Sequence, residues 1–175
     1  TAASPIVIRS AYADRPAVFR RDINLFNVRY LYLLNFQIVP DPAGDTFHCE
    51  QCDHVLLRGM TFNGMGAGVR AAHETIKINQ SQHIYIEHSD IFGSYENSID
   101  FVAVQYGHII GNRIHDADDW CAYVKGGSAM IRIENNQIYN CGTGGFTAGQ
   151  GTGFEFMTSP WLHYEAYDIK FINNL

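Results

Sequence analysis

Five side chains stand out for what they could do together. Glu50, Lys77, Asp100, Tyr123 and Lys125 fall at corresponding places in short alternating segments, 46–51, 75–80, 98–103 and 121–126. Amines, a phenol and carboxylates within reach of one another can shuttle protons or hold a polar polymer. Strand alternation sorts each segment into two faces. Inward go Phe47, Ile76, Ile99, Ala122 and Phe146, then Cys49, Ile78, Phe101, Val124 and Ala148. Outward, one row reads His48, Lys77, Asp100, Tyr123 and Thr147, and the next Glu50, Asn79, Val102, Lys125 and Gly149. The inward set is uniformly apolar, which supports the register. Stacked strands lie about 4.8 Å apart, so the outward rows make one chemically dense face. Alternating charges on a sheet also pair across strands merely to keep it solvated, and that reading stays open.

The elements that must position these residues repeat. The phrases YGHIIGNRIHD (106–116) and AMIRIENNQIYN (129–140) are each followed, at the same offset, by a strand-like run, AYVKGG or FTAGQG. A second strand column starts at Tyr30, His54, His83, Tyr106, Met130 and Asp168, in steps of 24, 29, 23, 24 and 38 residues. A strand, a turn and another strand at a fixed step mark a parallel β-solenoid, an all-β fold of about six coils within one domain, 1–175. The turn column reads Phe36, Met60, Ser89, Asn112, Asn136 and Asn174. Stacked Asn side chains there satisfy backbone groups at the corner.

The two long steps carry insertions, about 63–75 and 152–167. Both leave the spiral beside the outward face. One brings His73 and Glu74; the other brings Trp161, His163, Tyr164, Glu165 and Tyr167, with aromatic rings suited to stacking on sugar rings. Trp120 and Gln150 join them as substrate-binding candidates. The aromatic second insertion must pack on the spiral, either shaping the face or covering a lateral hydrophobic groove.

Composition narrows the class. The chain has 175 residues and a net charge of −6 with histidine neutral, which argues against nucleic acid or an anionic membrane surface as partner. No apolar run approaches the roughly 20 residues of a membrane span. Four cysteines, Cys49, Cys52, Cys121 and Cys141, are read as buried core thiols. Apolar strands at both ends suggest further coils, or an oligomer partner, over the open ends.

With these repeats the whole chain resembles the right-handed parallel β-helix superfamily of secreted, mostly polysaccharide-cleaving proteins. The stretch AYVKGGSAMIRIENNQIYNCGTGGFTAGQG is similar in layout to the catalytic-Lys segment of the alginate lyase and chondroitinase B family. That resemblance implies a secreted, bacterial-type polysaccharide lyase with Lys125 as Brønsted base. It also departs from the pattern: Ala148, Gly149 and Gln150 fall where the family carries an Arg.

β-Elimination on a uronate requires the carboxylate charge to be neutralised, by calcium or a Lys or Arg, and a base near working pH. Lys125 then serves as base, Tyr123 as proton donor, and Lys77 and Asp100 as groove partners. Asp116, Asp118 and Asp119 in HDADDW offer hard oxygen ligands for calcium, or form a solvated acidic turn. A hydrolase would instead need two carboxylates about 5–9.5 Å apart, and a non-catalytic glycan-binding or structural β-helix would need neither.

Overall fold

The computed structural model describes residues 1–175 except 41–43, 67 and 161. Short, β-branched and aromatic-rich segments punctuated by Gly and Asn leave no room for a long helix. Three parallel sheets run the length of the molecule. The first contains Ile6–Arg9, Arg29–Leu34, Asp53–Arg58, Gln82–Glu87, Gln105–Ile110, Ser128–Glu134 and Ala166–Ile172. The second contains Ile23–Phe26, Phe47–Glu50, Ile76–Asn79, Ile99–Val102, Trp120–Lys125 and Gly144–Ala148. The third contains Ala17–Phe19, Phe36–Ile38, Thr61–Asn63, Asp90–Phe92, Arg113–Ala117 and Gln137–Cys141. Each chain segment pairs with its counterparts one coil before and after, giving a parallel β-helix.

The expected registers hold residue for residue. Phe47, Ile76, Ile99, Ala122 and Phe146 are aligned partners, as are Lys77, Asp100 and Tyr123. The second column is also in register, with Leu31, Val55, Ile84, Gly107, Ile131 and Ile169 paired in turn. The sequence reading missed one coil at the start, formed by Ile6–Arg9, Ala17–Phe19 and Ile23–Phe26. Its strands are short and its polar residues interrupt the repeat, so the period was masked there.

Single-residue corners make the spiral possible. Asn35, Gly59, His88, Gly111, Asn135 and Asn173 have φ between 48° and 69°, each just before the Asn-ladder position. Gly and Asn enter this left-handed region at low cost, so the chain turns between the first and third sheets within one residue. The ladder follows. Asn136 Oδ1 accepts from the Asn112 backbone N–H at 2.8 Å and its side chain at 3.0 Å, while Asn136 Nδ2 donates to Ile109 O at 2.8 Å. Asn174 repeats the contact to Asn136, and Ser89 and Met60 continue the column with shorter or softer acceptors.

The core is a stack of columns, with Phe47, Ile76, Ile99 and Ala122 fully buried in one and Cys49, Ile78, Phe101 and Val124 in the next. Full burial of each Phe or Ile contributes about 1.5–3 kcal/mol. The cysteines correct the sequence reading. Cys49–Cys52 and Cys121–Cys141 are disulfides and no described cysteine is free. Cys49 and Cys52 lie three residues apart across one corner. Cys121 and Cys141 meet because the spiral returns the chain to the same edge after 20 residues. Spacing along the chain did not reveal that second closure.

The insertions differ in build. The first forms an antiparallel hairpin of Met65–Gly66 with Val69–Arg70. The second contains a short 3-10 turn, Phe154–Phe156, and returns to the first sheet at Ala166.

Candidate functional site

The outward face of the second sheet gathers most of the expected residues. Its central rung row places Lys77, Asp100 and Tyr123 side by side, and the neighbouring row places Glu50, Asn79, Val102 and Lys125. Asp100 points outward as alternation requires, yet it is fully buried. Lys77 Nζ closes over it in a short ion pair and also reaches Glu74 Oε1 at 3.2 Å. Lys125 Nζ lies 3.9 Å from the same Asp100 oxygen and 4.3 Å from the centroid of the Tyr123 ring. Two side-chain amines therefore cover one buried carboxylate. Asp100 Oδ1 is buried without a hydrogen-bond partner among the described residues.

Charge and burial set the protonation states. Burial disfavours a charged Lys77, but the Asp100 and Glu74 carboxylates outweigh it and raise its pKa. Burial lifts Asp100 above the ordinary carboxylate range, against the pull of Lys77 and Lys125. Glu74 is also opposed by burial, yet Lys77, His73 and Asn97 hold it low. Lys77 is thus a fixed cation shared by two carboxylates. Tyr123 is nearly buried; desolvation and the charges of Asp100 and Glu165 push its phenol to about 12. Its hydroxyl donates to Gln150 O at 3.2 Å.

Above this cluster lies an open groove of about 360 Å³, lined by Glu50, Lys77, Asn79 and Lys125 on the sheet and by Thr152 and Phe156 from the second insertion. Glu165 ties that insertion down. Its carboxylate accepts from Gly126 N at 2.9 Å, Thr152 N at 2.5 Å and Thr152 Oγ1 at 2.9 Å. Burial raises the Glu165 pKa, but the Thr152 and Gly126 backbone donors outweigh it and hold the group ionised. Gln80 Nε2 donates to Phe156 O at 3.3 Å and Gln105 Nε2 to Thr158 Oγ1 at 3.1 Å, pinning the same wall.

Other expected residues sit elsewhere. His73 bridges Glu74 and Glu96, both at 3.3 Å, at the margin of the cluster. Trp120 packs over Gly144, where a Cβ would come within 2.4 Å of its ring. Tyr164 stacks near Tyr167 at 5.6 Å and, like His163, is exposed on the second insertion outside the groove lining. Trp161 lies outside the described residues. Asp116 and Asp118 form a salt-bridged knot, with Arg70 2.7 Å from Asp118 and 3.8 Å from Asp116. His115 and Asn140 also contact Asp116. Those oxygens are committed to protein cations and donors, a poor fit for calcium. Asp119 lies on the same turn, its N–H donating to Glu96 O at 3.1 Å.

Sequence reasoning missed Thr152, Phe156 and Gln80 as groove builders. Asn79 stood in the outward row, and that position was the one available signal. Thr152 and Phe156 are placed by the path of an insertion, which no repeat predicts, and Gln80 by the corner that follows the strand Ile76–Asn79.

A family model described as "Right handed beta helix region" matches residues 31–160. No curated protein sequence is significantly similar to the chain. Among solved structures, the chain is similar to an alginate lyase from Paenibacillus sp. str. FPU-7, with 13% identity and a TM-score of 0.49 over 99% of this chain. It is also similar to the A-module of the Azotobacter vinelandii mannuronan C-5 epimerase, with 14% identity and a TM-score of 0.44 over 90% of this chain. The chain spans 61% and 54% of those two structures.

Proposed function

The chain belongs to the right-handed β-helix family, and on that scaffold we propose that the groove over the second sheet binds an acidic polysaccharide and cleaves it by β-elimination. The observation that carries this reading is the pairing of Lys77 and Lys125 over one buried carboxylate at the floor of an open groove. The arrangement divides labour between two amines that composition alone would treat as equivalent. Lys77 is locked as an ammonium by Asp100 and Glu74, and two of its three donors are used, leaving one for a uronate carboxylate. Lys125 is held less closely and lines the groove, the position a base requires.

In the proposed step, the unprotonated form of Lys125 takes the proton α to the uronate carboxylate. The electron pair forms the ring double bond, and the glycosidic C–O bond breaks. The departing oxygen takes a proton from Tyr123, whose phenol stays protonated at neutral pH and would exchange Gln150 O for that oxygen. Lys77 and Asn79 stabilise the carboxylate as charge builds on it. A two-carboxylate hydrolase fits less well, because Asp100 is buried and ion-paired. The two disulfides support an oxidising compartment, in keeping with secretion. Incubation with alginate, pectate and glycosaminoglycans, followed by the ultraviolet band of the unsaturated uronate, tests the reading. Absence of that band on every uronate polymer would overturn it.

A further inference from the structure

A second cluster lies on the outward face of the first sheet, away from the Lys77–Lys125 row. Tyr30, His54, His83 and Tyr106 occupy one column on successive coils, all with φ of 55° or 56°. Their rings stack in order, with centroids 4.7 Å apart for Tyr30–His54, 4.1 Å for His54–His83 and 5.3 Å for His83–Tyr106. The two imidazoles are therefore clamped between two phenol rings and cannot easily swing apart. Both turn the same nitrogen toward one oxygen: Asp53 Oδ1 lies 2.7 Å from His54 Nδ1 and 2.9 Å from His83 Nδ1. The three side chains are 16–30% exposed, so an ion could reach them from solvent.

We propose that Asp53, His54 and His83 form a binding site for a divalent transition metal of the zinc class. Two imidazole nitrogens and one carboxylate, with all three donor atoms within 4.8 Å of one another, match the ligand number and type that such ions select. Zinc bonds of about 2.0–2.2 Å need donor atoms a little over 3 Å apart. The present 2.7 and 2.9 Å separations fall short of that, so the carboxylate and the two rings would have to open slightly as the ion enters. The chemistry balances simply. In the tautomer whose Nδ1–H points at Asp53, metal binding would move each ring proton to Nε2, and the ion would take the place of the two hydrogens. Burial disfavours the Asp53 charge, but the two histidines hold it ionised, as a ligand must be. With three protein donors the ion retains open positions. Asp53 also lines a neighbouring polar cleft with Arg29, Gln82, Gln105 and Thr158, so a water or a substrate oxygen could occupy them.

The site stands on geometry independent of the proposed elimination chemistry, and its test does not use activity. Metal-stripped protein is titrated with zinc chloride by calorimetry and with cobalt chloride by visible absorption. The expected result is one ion per chain with a cobalt band showing nitrogen and oxygen ligation. Asp53→Asn, His54→Gln and His83→Gln should each weaken zinc binding by at least about tenfold. His73→Ala, in the other group with metal-compatible donors, should leave it unchanged. Far-UV circular dichroism checks that each variant is folded; should His54→Gln unfold, His83→Gln and Asp53→Asn carry the same test. No binding, binding unchanged in all three variants, or binding lost only with His73→Ala would overturn the proposal.

Discussion

Replacing Lys77 by Met is the sharpest probe of the buried charge cluster. The side chain covers Asp100, which has no exposure, and is itself 20% exposed, so solvent screening of the pair is weak. Removing the ammonium leaves Asp100 with only Lys125 at 3.9 Å, and takes the main cation from Glu74. Breaking a buried pair this way costs about 3–5 kcal/mol near neutral pH. For a chain of this size that lowers the urea midpoint by about 1.5–2.5 M.

The sign of the pH dependence is a second check. Lys77 is raised in the folded protein, so its contribution is full below its unfolded value of 10.5 and fades as pH rises through its folded value. Glu74 is lowered, so its contribution is present above 4.5 and fades as pH falls through its folded value. Asp100 is raised, so its ionisation costs stability at neutral pH and the cost disappears below 3.8. In Lys77→Met both carboxylates move up and protonate more readily. The gap between variant and wild type must therefore shrink on acidification from about pH 7.5 to about pH 4.5. Urea titrations followed by far-UV circular dichroism at both pH values measure it. A loss under about 1 kcal/mol at the higher pH, or an equal loss at both, would refute the buried-pair account.

Further predictions follow the same logic. Asn136→Ala should cost about 3–5 kcal/mol, since it strands the Asn112 N–H and the Ile109 carbonyl in a buried corner; chemical denaturation checks it. Cys121→Ser with Cys141→Ser should cost about 3 kcal/mol, from the entropy of a 20-residue closure, read as a lower thermal midpoint. Glu165→Gln should leave the thermal midpoint nearly unchanged but raise KM, because it loosens the groove wall at Thr152 and Gly126; steady-state kinetics on the active polymer decide it.

Most of the fold was legible because the chain repeats itself. Columns such as Phe47–Ile76–Ile99 and the Asn112–Asn136–Asn174 ladder follow from period two and a coil of about 23 residues, and each prediction of register reinforces the next. The disulfide between Cys121 and Cys141 was not legible, because Cys121 falls outside the inward apolar rows and its spacing from Cys141 does not show that the spiral brings the two together. The site was half legible. Alternation placed Lys77, Asp100, Tyr123 and Lys125 on one face, but it says nothing of depth. That Asp100 lies beneath two amines, while Lys125 fronts a groove, depends on side chains folding over one another and on an insertion anchored by Glu165. The Asp53–His54–His83 cluster was missed because His83 joins the adjacent Asp53 and His54 only through the next coil, on a face whose chemistry the sequence reading did not pursue.

The most direct test of the proposed chemistry is the ultraviolet band of the unsaturated uronate, followed for wild type, Lys125→Ala and Tyr123→Phe on a panel of uronate polysaccharides. Wild type should produce the band on at least one polymer. Lys125→Ala should abolish it while keeping the far-UV spectrum of the parent, since an outward side chain adds little to the core. An undiminished band in Lys125→Ala would contradict its role as the base.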